Sequence, residues 1–236
     1  MVFGASLQAV LLLTACDAPN QAAGNSPVAA SRPTEAAPVA RVPVAGPERT
    51  VLAFGDSLYA GYGLGRGESL PAVIERRLRA GGINATVINA GVSGDTSAGG
   101  RRRLAYTLDR LDRAPDLVLL GLGGNDVLRQ VAPAETRANM AAMLDELDRR
   151  HIPVVLTGMM APPNLGPTYA GAFNAIWPDL AREHEATLDP FILAGVIGNR
   201  RLMLGDGVHP NARGVDRIAD RLTPLVEKRV RAVQTR

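Results

Sequence analysis

Alternating strand and helix signals predict an α/β fold, a three-layer α/β/α sandwich around a mostly parallel five-stranded sheet. Three observations carry that prediction. Short aliphatic runs recur along the chain, and most are followed by apolar residues at helical spacing. One run, residues 116–122, is apolar almost throughout, as a strand covered by helices on both faces must be. Loops rich in Gly, Ser, Asn and Asp follow the first three runs, and parallel sheets place their ligands at the carboxyl ends of such strands.

The elements follow in order. Residues 50–54 form the first strand. Leu70, Val73, Ile74 and Leu78 mark a helix, with Ser69 as its cap and Gly81-Gly82 as its stop. A second strand spans 85–90, and Leu104, Leu108 and Leu111 mark the next helix. The third strand is 116–122, followed by a helix through Met140, Met143, Leu144 and Leu147. A fourth strand covers 153–160, and Phe173, Ile176, Trp177 and Leu180 share one helical face. A short fifth strand is expected at 186–188. Val215, Ile218, Ala219, Leu222, Leu225 and Val226 close the chain with a long amphipathic helix. Strands alternating with helices imply right-handed crossovers and helices on both sheet faces.

The 236 residues are 46% hydrophobic but only 4% aromatic, so the core is expected to be aliphatic. The formal charge of +3 is a mild basic bias. Arginines cluster at Arg101, Arg102 and Arg103 and along the last helix at Arg213, Arg217, Arg221, Arg229 and Arg231. They read as solvated helical faces, with contact to an anionic membrane surface the less favoured alternative. No nucleic-acid motif accompanies them, and no nucleic-acid partner is expected. Oligomeric state is not legible here.

A single cysteine excludes an internal disulfide. Residues 5–13 form a short, mostly apolar stretch, too short to span a bilayer core that needs ~20, and read as part of a signal segment over 1–16. Leu13-Thr14-Ala15-Cys16 resembles a bacterial lipobox, although no Lys or Arg precedes the apolar run. Cys16 is therefore the candidate for lipidation, which would anchor the protein to a membrane in the bacterial envelope, on the periplasmic side. Residues 17–49 are Ala- and Pro-rich with almost no large apolar side chains and are expected to be a disordered linker. The globular domain is expected over 50–236.

Ser57 lies three residues beyond the first strand, in Phe54-Gly55-Asp56-Ser57-Leu58. A serine hydroxyl is a weak nucleophile that needs a base within hydrogen-bond reach. Alone, Ser57 reads as a helix cap. Tyr59 replaces the second glycine of a G-x-S-x-G elbow, which excludes that arrangement. Of three histidines, His151 fits a helix C-terminus and His184 a core edge. His209 lies in a loop three residues after Asp206, where a compact turn lets the carboxylate hold the imidazole. The Gly94 N–H, the Asn125 amide and the Ser57 N–H could surround a developing oxyanion. Individually, Gly94 reads equally well as a turn glycine and Asn125 as a helix cap. Asp56, Asp95 and Asp126 each follow a strand and read as structural caps.

Taken together these residues resemble the SGNH subgroup of the GDSL hydrolases over about residues 50–232. The likeness is strongest to the bacterial thioesterase, arylesterase and lysophospholipase type. It rests on four blocks in order: Phe54-Gly55-Asp56-Ser57-Leu58, Val92-Ser93-Gly94-Asp95-Thr96, Gly123-Gly124-Asn125-Asp126 and Asp206-Gly207-Val208-His209-Pro210. The resemblance implies a flavodoxin-like SGNH hydrolase fold. It implies a Ser57–His209–Asp206 triad with an oxyanion hole of Ser57, Gly94 and Asn125, and no metal or organic cofactor. The expected substrate is a small-molecule ester or lipid, cleaved through an acyl-enzyme. The stretch around Met160, Pro162, Leu165 and Tyr169 resembles the family's substrate-side segment.

Three other readings stand beside it. A metal-dependent phosphoesterase would use Asp56, Asn125, Asp206 and His209 as ligands, yet a two-metal site needs more of them. An envelope polysaccharide O-deacetylase would share the same motifs. A silent binding protein is disfavoured because every catalytic position is filled.

Overall fold

The computed structural model describes residues 43–233. The signal segment, Cys16 and the linker up to residue 42 lie outside the described residues. The body already holds the chain at Gly46, whose carbonyl accepts from Asn84, and at Glu48, whose carbonyl accepts from Arg113.

Five strands, β1 (Arg49–Gly55), β2 (Ala85–Gly91), β3 (Leu117–Gly121), β4 (Val154–Thr157) and β5 (Thr187–Asp189), form one parallel sheet in the order β2-β1-β3-β4-β5. The chain starts in the middle, steps to one side, then crosses back and adds strands on the other. With right-handed crossovers, the reversal of direction sends the helices to opposite faces. Accordingly α2 (Leu70–Ala80) packs with α7 (Ala212–Ala232) on one face, and α3 (Ser97–Asp109), α5 (Pro133–Arg149) and α6 (Pro167–Glu183) pack in sequence on the other. The strands between them are aliphatic: Val51, Leu52, Leu117, Leu119, Leu120, Val155 and Leu156 are fully buried.

Register sets the level of the site. Gly55 pairs with both Gly91 and Gly121, so three neighbouring strands end on glycines in one row. Side chains there are excluded by α1 (Ser57–Ala60), which lies directly on the row. A Cβ at Gly55 would run into the Tyr59 ring, one at Gly91 into the Ala60 nitrogen, and one at Gly121 into the Tyr59 ring and hydroxyl as well as the Thr157 hydroxyl of β4. The buried Tyr59 hydroxyl hydrogen-bonds Thr157 Oγ1 at 2.8 Å and ties α1 to β4.

Two short helices, α1 and α4 (Gly124–Leu128), and a 3-10 turn at Pro163–Leu165 go beyond the expected elements. β4 stops at Thr157 rather than reaching residue 160. The Gly158 N–H bonds the Asp189 carbonyl at 2.7 Å, and the chain then leaves toward Pro162-Pro163. Leu111 falls beyond α3 but still packs on the core.

Candidate active site

Ser57 is the first residue of α1. Asp56 caps the helix, its Oδ1 accepting the Leu58 N–H at 3.0 Å, and Gly61 ends it at φ +86°. Ser57 is thereby held on a rigid four-residue turn and is 9% exposed. Asp56 is 2% exposed, and burial pushes its carboxyl up to about 6, opposed by the Leu58 N–H and by the charge of His209.

Asp206 and His209 share one tight turn, with Gly207 at φ +68°. Asp206 Oδ1 accepts the backbone N–H groups of Val208 at 2.9 Å and His209 at 3.0 Å. Its Oδ2 accepts from His209 Nδ1 at 2.7 Å. These bonds lower the Asp206 carboxyl to about 2, the His209 N–H contributing most. With Nδ1 donating to the carboxylate, His209 Nε2 is the acceptor and lies 2.9 Å from Ser57 Oγ. The turn is fixed to the body. The Leu204 N–H bonds the His209 carbonyl at 2.7 Å, and Asn211 caps α7 by accepting from Gly214. Outside, the Tyr62 ring lies 4.4 Å from the imidazole, centroid to centroid, tilted by 34°.

Gly94 occupies the turn between β2 and α3 at φ +85°, a conformation that favours glycine. The Asn125 side chain, from α4, donates to the Asp95 carbonyl at 2.9 Å, which brings it against the Gly94–Asp95 segment. The Gly94 carbonyl accepts from Arg129 at 3.0 Å. Asp126, fully buried, receives the Ser97 N–H at 2.8 Å, the Ser97 hydroxyl at 2.5 Å and the Thr136 hydroxyl at 3.2 Å. It caps α3 across space and so couples the helix carrying Asn125 to the turn carrying Gly94. Asp95 is not a cap. Its carboxylate pairs with Arg103 at 2.6 Å.

Ser57, Asn125 and His209 face a cavity of about 770 Å³. Its walls are chiefly apolar: Leu58, Val127 and Leu128 beside the nucleophile, Met159, Met160, Ala161 and Pro162 after β4, and Phe191, Leu193 and Ile197 after β5. Met160 and Pro162 thus line it, whereas Leu165 and Tyr169 do not. Tyr169 is spent elsewhere, its hydroxyl donating to the Val131 carbonyl at 2.8 Å and its ring stacked on Phe173 at 5.9 Å. Leu165 packs toward the core.

Comparison with known proteins decides the family. The GDSL-like Lipase/Acylhydrolase family model matches residues 53–217. Esterase TesA of Pseudomonas aeruginosa is 38% identical over 179 residues, covering 76% of this chain and 88% of that one. The chain belongs to the GDSL-like lipase/acylhydrolase family. This GDSL esterase is also 36% identical, over 181 residues, to thioesterase 1/protease 1/lysophospholipase L1 of Escherichia coli K12, with 75% of this chain and 85% of that one covered. Among solved structures it resembles AlinE4, an SGNH-hydrolase family esterase, at 49% identity and a TM-score of 0.67, covering 81% of this chain and 100% of that one. It resembles the crystal structure of TesA with a TM-score of 0.72 at 38% identity, covering 77% and 99%. The enzyme is a serine esterase with small-molecule ester or lipid substrates.

The other two histidines of the esterase lie away from this site. His184 ends α6 and bonds Asp148 at 2.6 Å, and His151 follows α5 at φ +54°. Among the described residues no three His, Cys, Asp or Glu side chains converge as metal ligands would. Sequence reasoning missed Leu128, Ile197 and Val208, exposed apolar residues that line the cavity. Their signal was adjacency, since Leu128 and Val208 stand beside or within motifs already singled out. It also misread two arginines. Arg103 and Arg221, taken as solvated, are internal braces. Arg221 holds the buried Asp189 carboxylate at 2.7 and 3.0 Å and the carbonyls of Phe191, Ile192 and Ala194.

Proposed function

We propose that Ser57 is the nucleophile, His209 the general base and Asp206 the group that orients and stabilises the imidazole. The observation that carries this reading is the unbroken run Asp206–His209–Ser57, with contacts of 2.7 and 2.9 Å, ending at an apolar cavity. Ser57 attacks an acyl carbonyl while His209 Nε2 takes its proton. The tetrahedral oxyanion is received by the N–H groups of Ser57 and Gly94 and by the amide of Asn125. Returning the proton to the leaving alcohol or thiol gives the acyl-enzyme, which water cleaves by the same steps in reverse.

The apolar walls favour a substrate with an acyl chain over an acetylated sugar. Aryl esters, acyl thioesters and lysophospholipids are the substrate classes proposed. Met160 and Pro162 contact that chain. The lipobox-like Leu13-Thr14-Ala15-Cys16 supports export to the envelope and lipidation at Cys16, with the Ala- and Pro-rich residues between Cys16 and the body as a spacer. Incorporation of an alkynyl fatty acid that is lost in Cys16→Ser tests the anchor.

Ser57→Ala is expected to abolish turnover of p-nitrophenyl esters while near-UV circular dichroism stays unchanged. Substantial turnover by that folded variant removes Ser57 from its role. Across p-nitrophenyl esters of rising chain length, kcat/KM is expected to rise beyond acetate. A maximum at acetate would return the deacetylase reading.

A further inference from the structure

We infer that Arg103 is a positioning residue for the oxyanion donors, a conclusion that rests on the reading of Gly94 and Asn125 just given. Arg103 is the third of three consecutive arginines, and Arg101 and Arg102 are exposed. Its own side chain is only 22% exposed and turns inward along α3. There one guanidinium makes four contacts in different directions. Nε bonds the Asp95 carboxylate at 2.6 Å. Nη1 donates to the Ala90 carbonyl at 2.9 Å and Nη2 to the Gly55 carbonyl at 2.9 Å. Its plane carbon sits 3.8 Å from the centre of the Phe54 ring.

Each contact is a part of the site's frame. Gly55 is the end of β1, two residues before Ser57. Ala90 stands near the end of β2 and leads into the Gly94 turn. Asp95 follows Gly94, and its carbonyl is the acceptor that holds the Asn125 amide at 2.9 Å. The Gly55 carbonyl also accepts the Val92 N–H at 3.0 Å, and Val92 in turn accepts from the Asp95 N–H at 3.1 Å. Arg103 therefore locks the nucleophile's strand, the Gly94 turn and the anchor of Asn125 into one unit. A guanidinium suits this task because its planar fork offers donors in several fixed directions, whereas an ammonium is a single flexible point. Oxyanion donors act through their placement before reaction, so displacement of the Asp95 carbonyl misplaces the Asn125 amide and costs rate rather than ground-state affinity.

Kinetics of Arg103→Met, Arg103→Lys, Asn125→Ala and Arg103→Met/Asn125→Ala on a p-nitrophenyl ester test the inference, with near-UV circular dichroism and thermal melting as fold controls. Asn125→Ala is expected to lower kcat by ~10²–10³-fold, as loss of one donor does. Arg103→Met is expected to lower kcat at least tenfold (about the effect of 1.4 kcal/mol) with KM within about threefold, and Arg103→Lys to fall between it and the parent. The double variant is expected to fall clearly short of the product of the two single losses, because the part of the Arg103 effect that runs through the Asn125 amide is already lost and only the part through the Gly94 turn and the β1 end remains. If Arg103→Met does not fold, Arg103→Lys and its double variant with Asn125→Ala are compared in the same way. Multiplicative losses, a change confined to KM, or unaltered kcat in folded Arg103 variants overturns the inference while Asn125→Ala still shows its loss. If Asn125→Ala keeps full kcat, the oxyanion reading and the inference fall together.

Discussion

Asp56 shows how one buried carboxyl couples the catalytic turn to pH. It caps α1 next to Ser57, and its raised pKa of about 6 comes first from burial. An acid whose folded pKa exceeds its unfolded value keeps a proton that the unfolded chain has lost. Its contribution is therefore present below the ordinary aspartate value of 3.8 and is lost as pH rises through about 6. Asn at position 56 keeps the acceptor for the Leu58 N–H and cannot ionise. Between pH 4 and pH 7, the stability of Asp56→Asn relative to the parent is expected to rise by about 2–3 kcal/mol, at about 1.4 kcal/mol per unit. Urea denaturation at both pH values measures it, and parallel pH dependence of the two proteins would show that Asp56 titrates normally. Asp206 behaves oppositely. With its carboxyl at about 2, it stays ionised through the working range, and its stabilising contribution is lost only as pH falls below the ordinary carboxylate range toward 2. At this scale the sequence was informative where chemistry is scarce. His151 and His209 each have an aspartate three residues before them, but only His209 lies in a loop rather than at a helix end. The sequence marked Asp56 as a cap but not its raised pKa, because that depends on burial under the packed fold and on the charge of Asp126, which lies 70 residues away along the chain.

At the scale of elements, the long helices were legible because each spans enough residues for a period to emerge, and the strands as short apolar runs between them. α1 and α4 have four and five residues, little more than one turn, and show no period. They are nevertheless the elements that carry Ser57 and Asn125. Arginine direction was equally hidden. Spacing placed Arg221 on α7, but only the path after β5 shows that its guanidinium reaches Asp189 and three carbonyls of the segment that carries the cavity-lining Phe191 and Leu193. Arg221→Met leaves the Asp189 carboxylate, 1% exposed, without its cation. A loss of about 3–5 kcal/mol is expected by chemical denaturation, as when one partner of a buried pair is removed. Asp189→Asn in the same chain should recover part of it. A loss below ~1 kcal/mol, the range of exposed pairs, would make Arg221 the solvated residue its spacing suggested.

For the molecule as a whole, the α/β class and the gathering of motifs at the strands' carboxyl ends followed from alternation alone. The strand order did not, because pairing partners are separated by intervening helices and leave no local mark. That order does the assembling: Ser57 and His209 stand 152 positions apart in the chain and 2.9 Å apart in space. The glycine row at Gly55, Gly91 and Gly121 lets α1 lie flat on three strands at once, and the cavity opens above it. The most direct measurement of the central claim is peptide mapping by mass spectrometry after reaction with a fluorophosphonate. A single adduct on Ser57, formed at a rate that collapses in folded His209→Ala, is the expected result. An adduct on another residue, or full activity in a fully labelled enzyme, would contradict the account.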